Sequence, residues 1–318
     1  MMNFLRLIRY KNLLIIILTQ YLIRWSIIKP ILQVSNFELQ FSEINFLFLV
    51  LSTVFITAAG YVINDYFDTK TDLVNRPQTV LVGKIITRRS AILLHVFLST
   101  LGILMGIYVS FYIGFPILSL VFILITGILW FYSTTYKRQF LIGNLIVALL
   151  TGLVPLIVLL FEIPLLNKTY GLILVELKAN FNQIIVWVLS FAFYAFLLTL
   201  IREIIKDVED YEGDNAYGRQ TMPIVLGVTN TKVILATFIL FAIFSLLYAY
   251  FRFLTDPITL VYFVVFLIIP LILLLYKLII AETKSAYHSA SQLSKLIMLA
   301  KLKQWLCPYQ FYFLALLD

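Results

Sequence analysis

Long apolar segments, each about the length of a membrane-spanning helix, follow one another along nearly the whole chain. A helix needs roughly 20 mostly apolar residues to cross the hydrocarbon core of a bilayer. The pattern predicts nine such helices, at about residues 13–34, 44–64, 91–112, 114–134, 141–161, 182–205, 231–251, 258–280 and 290–315. Little sequence remains for a soluble domain. We therefore predict an all-α, multi-pass protein of the lipid bilayer, with one domain over residues 1–318.

Composition and charge support this prediction and suggest an orientation. The chain is 62% hydrophobic and only 13% charged, which excludes an ordinary soluble protein. Its net charge of +8 does not indicate nucleic-acid binding, because the basic residues are scattered between apolar segments. Sixteen of the 24 lysines and arginines fall on the side of the N-terminus and three on the opposite side. This bias predicts a cytoplasmic N-terminus.

Three parts of the chain fit the spanning pattern less well. The last predicted span contains Lys295, Lys301 and Lys303, so residues 301–318 form an atypical end that we expect to lie along the membrane interface. The segment "LLNKTYGLILVEL", after the fifth span, is predicted to be a short interfacial helix. His95 and His288 lack the spacing of metal ligands, and we interpret both as interfacial residues.

Two acidic clusters with the same spacing stand at the ends of predicted spans. The stretches "NDYFDTKTD" at 64–72 and "DVEDYEGD" at 207–214 each place aspartates at i, i+3 and i+7. Windows 65–72 and 207–214 hold eight of the 16 acidic residues. On a helix, this spacing puts three side chains within about 60° of arc. Carboxylates this close repel one another unless a cation lies among them, and dense oxygen ligands suit Mg²⁺.

Basic residues near these clusters indicate an anionic substrate. The cations of the connecting segments are Arg76, Lys137, Arg138, Arg202, Lys206 and Arg219. A site that combines Mg²⁺ with cations favours a polyanion such as diphosphate. At a membrane surface, beside a cavity lined by Phe and Tyr, the simplest such molecule is an isoprenoid diphosphate.

The two motifs resemble those of the UbiA superfamily of intramembrane prenyltransferases. Its first motif, N-x-x-x-D-x-x-x-D, is matched by Asn64, Asp68 and Asp72, and its second, D-x-x-x-D, by Asp210 and Asp214. The stretch "REIIKDVEDYEGD" is most similar to the branch with geranylgeranylglycerol-phosphate geranylgeranyltransferase and chlorophyll synthase. The family's Y-x-x-x-K element is matched imperfectly, because Tyr132 lies five residues before Lys137.

The resemblance implies a fold, a cofactor and a set of site residues. It implies nine helices in a bundle around a central cavity, with cytoplasmic motif loops at 64–90 and 202–232, in the cytoplasmic membrane of a prokaryote. It assigns one Mg²⁺ to Asn64, Asp68 and Asp72 and a second to Asp210 and Asp214, with Asp65 and Asp207 as auxiliary ligands. The remaining expected site residues are Lys206, Arg76, Lys137, Arg202 and Arg219 for the diphosphate, and Tyr132, Tyr136 and Tyr194 for the carbocation.

The expected reaction is Mg²⁺-dependent transfer of a polyprenyl group from an isoprenoid diphosphate to an acceptor. The second motif favours the hydroxyl of a geranylgeranylglycerol-phosphate-like lipid as the acceptor. An aromatic quinone precursor, such as 4-hydroxybenzoate or a dihydroxynaphthoate, is the alternative. A cation-coupled transporter is the alternative from another class, although transporters place ion sites near the membrane midplane. The acceptor, the prenyl chain length and the oligomeric state stay open.

Overall fold

A computed structural model of the protein describes residues 2–75, 77–254 and 256–303. Within these ranges the chain is almost entirely helical, and an isolated bridge between Val82 and Ile86 is the sole β-type pairing. The α-helices are α1 Met2–Leu7, α2 Tyr10–Leu22, α3 Lys29–Val34, α4 Glu43–Asn75, α5 Arg88–Tyr112, α6 Ser119–Thr134, α7 Ile142–Leu177, α8 Asn182–Glu209, α9 Tyr211–Ala216, α10 Met222–Leu226, α11 Val228–Ala249, α12 Pro257–Phe263, α13 Ile269–Ile280 and α14 Lys284–Lys303. The predicted all-α class is confirmed.

Short π-helical turns join several of these helices into longer ones. Ile23–Ile28 connects α2 to α3, and Val264–Ile268 connects α12 to α13. With these connections included, eight helices in the described part of the chain are long and apolar enough to cross a membrane. They match the first eight predicted spans, so the chain is a multi-pass membrane protein. The ninth prediction, 290–315, coincides with α14 up to Lys303, and residues 304–318 lie outside the described ranges.

Helix α7 differs from its prediction. We expected a span at 141–161 followed by a separate interfacial helix, but Ile142–Leu177 forms one helix of 36 residues that contains Pro155 and Pro164. At about 1.5 Å per residue it is roughly 54 Å long, which exceeds the roughly 30 Å hydrocarbon core. Residues 165–177, after Pro164, are mostly apolar, and the helix includes them in addition to the predicted span.

The chain forms two compact units, of which the first comprises Met1–Leu32, Asn36–Lys137 and Leu153–Leu189. Its centre is the packing of α5 against α4. Ser52 donates a hydrogen bond to the carbonyl oxygen of Gly102 at 2.6 Å. A Cβ at Gly102 would lie 2.6 Å from Ile56 Cγ1, so glycine permits this close approach. Tight packing of this kind gives α4 a rigid support.

A buried ion pair in this unit links the first span to α7. Arg24 Nη1 lies 2.9 Å from Glu162 Oε2, and the two side chains are 1% and 0% exposed. Glu162 Oε1 also accepts hydrogen bonds from the backbone N–H groups of Gln40 and Phe41, at 2.9 and 3.1 Å. The charged group inside the first span is therefore compensated, and the pair fixes the connection between the first two spans.

Replacing Glu162 by glutamine is expected to lower the free energy of unfolding by about 2 kcal/mol, because Arg24 would lose a charged hydrogen-bond partner in a buried site. Thermal unfolding in detergent measures this effect. Glu176→Gln, at an exposed position of the same helix, is the matched control. A Glu162→Gln protein as stable as the control would show that the pair contributes no net stability.

The second unit comprises Gln33–Ser35, Arg138–Gly152 and the residues from Ser190 onward. It contains most of α8, all of α9 to α13 and the described length of α14. Lys232 Nζ, on α11, donates to the carbonyl oxygens of Ile279 and Ala281 at 3.1 and 2.6 Å. This lysine caps the C-terminal end of α13 and ties it to α11.

Candidate functional site

The first motif lies on the last turns of α4 and not in a loop. Asn64, Asp68 and Asp72 follow one another at intervals of four residues on a continuous helix that ends at Asn75. Pro77 lies two residues beyond this end and cannot continue the helical hydrogen bonding. A step of four residues rises about 6 Å and turns by about 40°, so the three polar groups form an inclined row on one side of the helix.

Lys137 contacts two members of this row. Its Nζ lies 2.7 Å from Asp68 Oδ1 and 3.4 Å from Asn64 Oδ1. The side chains of Lys137 and Asp68 are 5% and 11% exposed. Lys137 belongs to the turn Tyr136–Arg138 that follows α6, so the ends of α4 and α6 meet here. The oxygens of Asn64 and Asp68 thus converge on a cation, and the predicted link between Lys137 and the first motif has a direct geometric basis.

Asp65, expected to be an auxiliary metal ligand, contacts the N-terminal segment. Arg9 Nη2 lies 2.8 Å from Asp65 Oδ1, and the Arg9 guanidinium lies 4.9 Å from the centre of the Tyr61 ring. No sequence pattern connects Arg9 with the motif, because 56 residues separate it from Asp65. Asp65 therefore pairs with an arginine of the N-terminal segment and lies at the edge of the acidic cluster.

The other site residues predicted in this unit occupy the same region, apart from one that is not described. Asp72 is half-buried one turn after Asp68, Tyr132 lies in the last turn of α6, and half-buried Tyr136 begins the turn that carries Lys137. Arg76, predicted to bind the diphosphate, lies outside the described residues.

The second motif lies where α8 gives way to the short helix α9. Asp210 precedes α9, and its carbonyl oxygen accepts a hydrogen bond from the Asp214 backbone N–H at 3.1 Å. Asp214 is 2% exposed. Its Oδ1 lies 3.1 Å from Arg219 Nη1, so the predicted pairing of this motif with a cation is present. The arginine balances the charge of this buried carboxylate.

Asp207, the other expected auxiliary ligand, accepts a hydrogen bond from Asn144. The distance between Asn144 Nδ2 and Asp207 Oδ2 is 2.7 Å. Asn144 lies at the start of α7 and is buried. It was not a candidate in the sequence, because an isolated amide at the start of an apolar helix carries no motif.

Glu203 joins two of the predicted diphosphate-binding cations. Its Oε1 lies 2.8 Å from Arg202 Nη1 and 2.9 Å from Lys206 Nζ, and its Oε2 accepts from Lys206 at 3.0 Å. Glu203 was absent from the sequence candidates. The spacing of the three aspartates, applied towards the N-terminus, predicts Glu203 as a further candidate. Residues 203, 207, 210 and 214 fall on one face of a helix.

Replacing Glu203 by glutamine is expected to reduce kcat for prenyl transfer about tenfold, the equivalent of one charged hydrogen bond. The glutamine amide cannot hold both cations, so Arg202 and Lys206 would adopt more conformations. The KM for the diphosphate should not rise, because the positive charges remain. Steady-state kinetics separate the two constants, with Glu212→Gln, at an exposed position of α9, as the control. Unchanged kcat in Glu203→Gln would contradict this role.

The two histidines, both expected at the membrane interface, differ in their exposure. His95 is 5% exposed, and its Nδ1 lies 3.0 Å from the carbonyl oxygen of Ala59, so its interfacial assignment was wrong. His288 is largely exposed, but its Nδ1 lies 2.8 Å from Oε1 of buried Glu209. Tyr194, expected near the carbocation, donates instead to Ser245 Oγ at 3.1 Å.

The oxygen ligands of both motifs have the chemistry that Mg²⁺ requires. In the described residues, no three His, Cys, Asp or Glu side chains come together as a ready metal cage. Mg²⁺ rarely uses such a cage, since it is usually held by one or two carboxylates, several waters and substrate phosphate oxygens. Asn64 and Asp68 already direct two oxygens at the Lys137 ammonium group. The residues present therefore fit this cation.

The UbiA prenyltransferase family profile matches residues 36–296 of the chain. This range includes both motifs and most of the spanning helices. The chain belongs to the UbiA prenyltransferase family. The resemblance inferred from the two aspartate motifs is confirmed.

Curated UbiA relatives from archaea are similar to this chain over much of its length. A digeranylgeranylglyceryl phosphate synthase from Methanothermobacter thermautotrophicus is 35% identical over 201 residues, 62% of this chain and 62% of that protein. The enzyme of the same name from Methanosphaera stadtmanae is 33% identical over 252 residues, 77% of this chain and 81% of that protein. The first alignment thus covers less than two thirds of its relative.

Solved UbiA structures share the fold. A UbiA homologue from Archaeoglobus fulgidus, bound to DMAPP and Mg²⁺, superposes with a TM-score of 0.60 at 16% identity, over 94% of this chain and 97% of that one. The predicted UbiA-type architecture is therefore confirmed.

Proposed function

We propose that this protein transfers a geranylgeranyl group from geranylgeranyl diphosphate to the hydroxyl of a geranylgeranylglyceryl phosphate lipid, with Mg²⁺ as the cofactor. The names of its archaeal relatives support this product, and the Archaeoglobus structure with DMAPP and Mg²⁺ supports the donor class and the cation. The relatives also favour a lipid over an aromatic acceptor.

The observation that carries the proposal is that each motif contains a buried aspartate paired with a cation. Asp68 lies against Lys137 in the first unit, and Asp214 lies against Arg219 in the second. A carboxylate that is held charged can ligate Mg²⁺, and the adjacent cation can then contact phosphate oxygens. Transporters, by contrast, place their ion sites near the membrane midplane, and these pairs lie at helix ends.

The reaction breaks the bond between the allylic carbon C1 and its diphosphate oxygen, and the electron pair leaves with the diphosphate. The acceptor hydroxyl oxygen forms the new bond to C1 and releases its proton, which the departing diphosphate can accept. Charge on the departing diphosphate dominates the barrier, so groups that stabilise this charge accelerate the reaction. When bound, Mg²⁺ would supply Lewis acidity to the diphosphate oxygens.

The residues of the chain supply both the ligands and the countercharges. Asn64, Asp68 and Asp72 would hold one Mg²⁺, and Asp210 and Asp214 a second. In the first unit Lys137 would contact phosphate oxygens, and in the second unit Arg219, Arg202 and Lys206 would do so, the last two with Glu203 as their anchor. Asp65 and Asp207 would serve as outer partners, held by Arg9 and Asn144. Tyr132 and Tyr136 would offer ring faces to the allylic cation.

This chemistry belongs on the cytoplasmic side of a prokaryotic membrane. The basic residues concentrate on the side of the N-terminus. Each motif follows an even number of candidate spans, which supports a position on that side.

The test is transfer from radiolabelled geranylgeranyl diphosphate in liposomes, with geranylgeranylglyceryl phosphate, 4-hydroxybenzoate and 1,4-dihydroxy-2-naphthoate as separate acceptors. We expect a labelled lipid product that disappears on chelation with EDTA and returns with Mg²⁺. Turnover of an aromatic acceptor alone would overturn the lipid assignment. Absence of product with every acceptor, from protein that unfolds cooperatively, would overturn the transferase itself.

A further inference from the structure

The first span carries a row of polar side chains that all contact α4, the helix of the first motif. The span lies before residue 36, where the match to the family profile begins. Four pairs connect it to α4: Arg9 with Asp65 at 2.8 Å, Asn12 with Tyr61 at 3.3 Å, Gln20 with Thr53 at 3.1 Å, and Arg24 with Glu43 at 3.3 Å. Between these positions the span is mostly leucine and isoleucine.

Three of the four pairs follow one antiparallel register, and the fourth, Arg24 with Glu43, departs from it. From residue 9 to residue 20 on the first span, the partner on α4 moves from residue 65 back to residue 53. A slip of one helical turn would therefore break the contacts together. Leucine and isoleucine pack almost equally well in neighbouring registers, whereas hydrogen bonds between helices do not. The polar row thus specifies which register the two helices adopt.

Burial makes a wrong register costly. Gln20 and Arg24 are 0% and 1% exposed. Each already has one buried atom without a hydrogen-bond partner, Gln20 Oε1 and Arg24 Nε. A shifted α4 would leave the Gln20 amide unpaired in an apolar environment, whereas Arg24 would keep Glu162 on α7 as its partner.

The row ends at the motif itself. Arg9 adopts the left-handed conformation (φ 52°, ψ 51°), which residues other than glycine seldom adopt. This turn between α1 and α2 directs the guanidinium to Asp65 and over the Tyr61 ring. Strained backbone of this kind persists where surrounding contacts determine it, and it is common at functional sites. Asp65 directly follows Asn64 and lies one turn before Asp68.

We infer that the first span is a positioning element for the first motif. Its polar row sets the height of α4 along the membrane normal, and Arg9 is the positioning residue that holds Asp65, and through it Asn64 and Asp68, in place for Mg²⁺. The part of this inference that concerns Mg²⁺ rests on the proposed function. The part that concerns helix register does not.

Thiol crosslinking tests the register without any assay of transfer. In a Cys307→Ser background, Asn12→Cys with Tyr61→Cys is expected to react with a short bis-maleimide, whereas Asn12→Cys with Thr57→Cys, one turn away, reacts poorly. Addition of Gln20→Leu should reduce the first yield and increase the second. Leu18→Ala, at an exposed position of the same helix, is the control. Unchanged yields in Gln20→Leu would overturn the role of the polar row.

A double-mutant cycle tests Arg9. Arg9→Ala is expected to raise the Mg²⁺ concentration for half-maximal transfer about tenfold, as loss of an outer partner of a metal ligand does. Arg9→Lys should restore part of the effect, Arg6→Ala should have none, and Arg9→Ala should add little to Asp65→Asn. Additive effects, or an unchanged Mg²⁺ requirement, would overturn the role of Arg9. If the unmodified protein shows no transfer, the proposed function is wrong. The crosslinking result would still test the register of the two helices.

Discussion

Asp68→Asn is expected to reduce kcat for prenyl transfer by about a thousandfold, the upper range for loss of one strong electrostatic contribution to a transition state. Asparagine keeps the size and one oxygen of the side chain but removes the charge that would hold Mg²⁺. It also leaves the Lys137 ammonium group, 2.7 Å away, without its carboxylate. The reaction would then lack both the cation and the ordered lysine at the departing diphosphate. Single-turnover measurement with labelled donor gives the rate directly.

The double variant Asp68→Asn/Lys137→Gln separates folding from chemistry. If the ion pair served stability alone, neutralising both partners would restore activity together with the melting temperature, because no buried charge would remain unpaired. We expect the melting temperature to recover and the activity to stay low. Lys70→Gln, at an exposed position two residues further along the helix, is the matched control. Near-normal transfer by either Asp68 variant would show that the first motif does not hold the catalytic cation.

The sequence predicts the helices of this protein well because the bilayer imposes a strong and simple rule. About 20 apolar residues are needed for each span, and the eight helices that satisfy this length coincide with the first eight predicted spans. The rule says little about where a helix ends beyond the hydrocarbon core. Hence α4 continues to Asn75 and α7 to Leu177, well past their predicted ends.

The proposed ligands of the site stand out in the sequence, but their hydrogen-bond partners do not. Asp68 and Asp214 belong to motifs whose spacing repeats, and repetition is visible in a single sequence. Arg9 and Asn144 are single polar residues in unremarkable surroundings, and only tertiary packing brings them to Asp65 and Asp207. Their contribution depends on the tertiary fold, so no local sequence pattern marks them.

The Arg24 and Glu162 pair shows the same limit in the middle of the first span. A charged residue inside an apolar segment signals that a partner exists, because an isolated charge in the bilayer is costly. The signal does not name the partner, which lies 138 residues away. The sequence therefore predicts that an acidic residue balances the charge of Arg24, but it does not predict that this residue is Glu162.

The second large effect is expected at Asp214. Asp214→Asn should reduce kcat/KM for the diphosphate donor about a hundredfold or more, with the Mg²⁺ requirement increased. Asp214 is 2% exposed and lies 3.1 Å from Arg219, so its charge both holds the arginine and offers an oxygen ligand. Glu212→Gln, two residues earlier on the same short helix but exposed, should be close to the unmodified enzyme.

Arg219→Gln distinguishes the two roles of Asp214. Without Arg219, the Asp214 oxygens remain as candidate Mg²⁺ ligands, but the diphosphate loses a cation. We therefore expect Arg219→Gln to increase the KM for the donor with little change in the Mg²⁺ requirement, whereas Asp214→Asn changes both. If the two variants had the same kinetic profile, Asp214 would act only by holding Arg219, and the metal ligand of the second motif would have to be sought at Asp210 or Asp207. A distinct Mg²⁺ dependence for Asp214→Asn would assign the ligand to Asp214, because Arg219 cannot bind a cation.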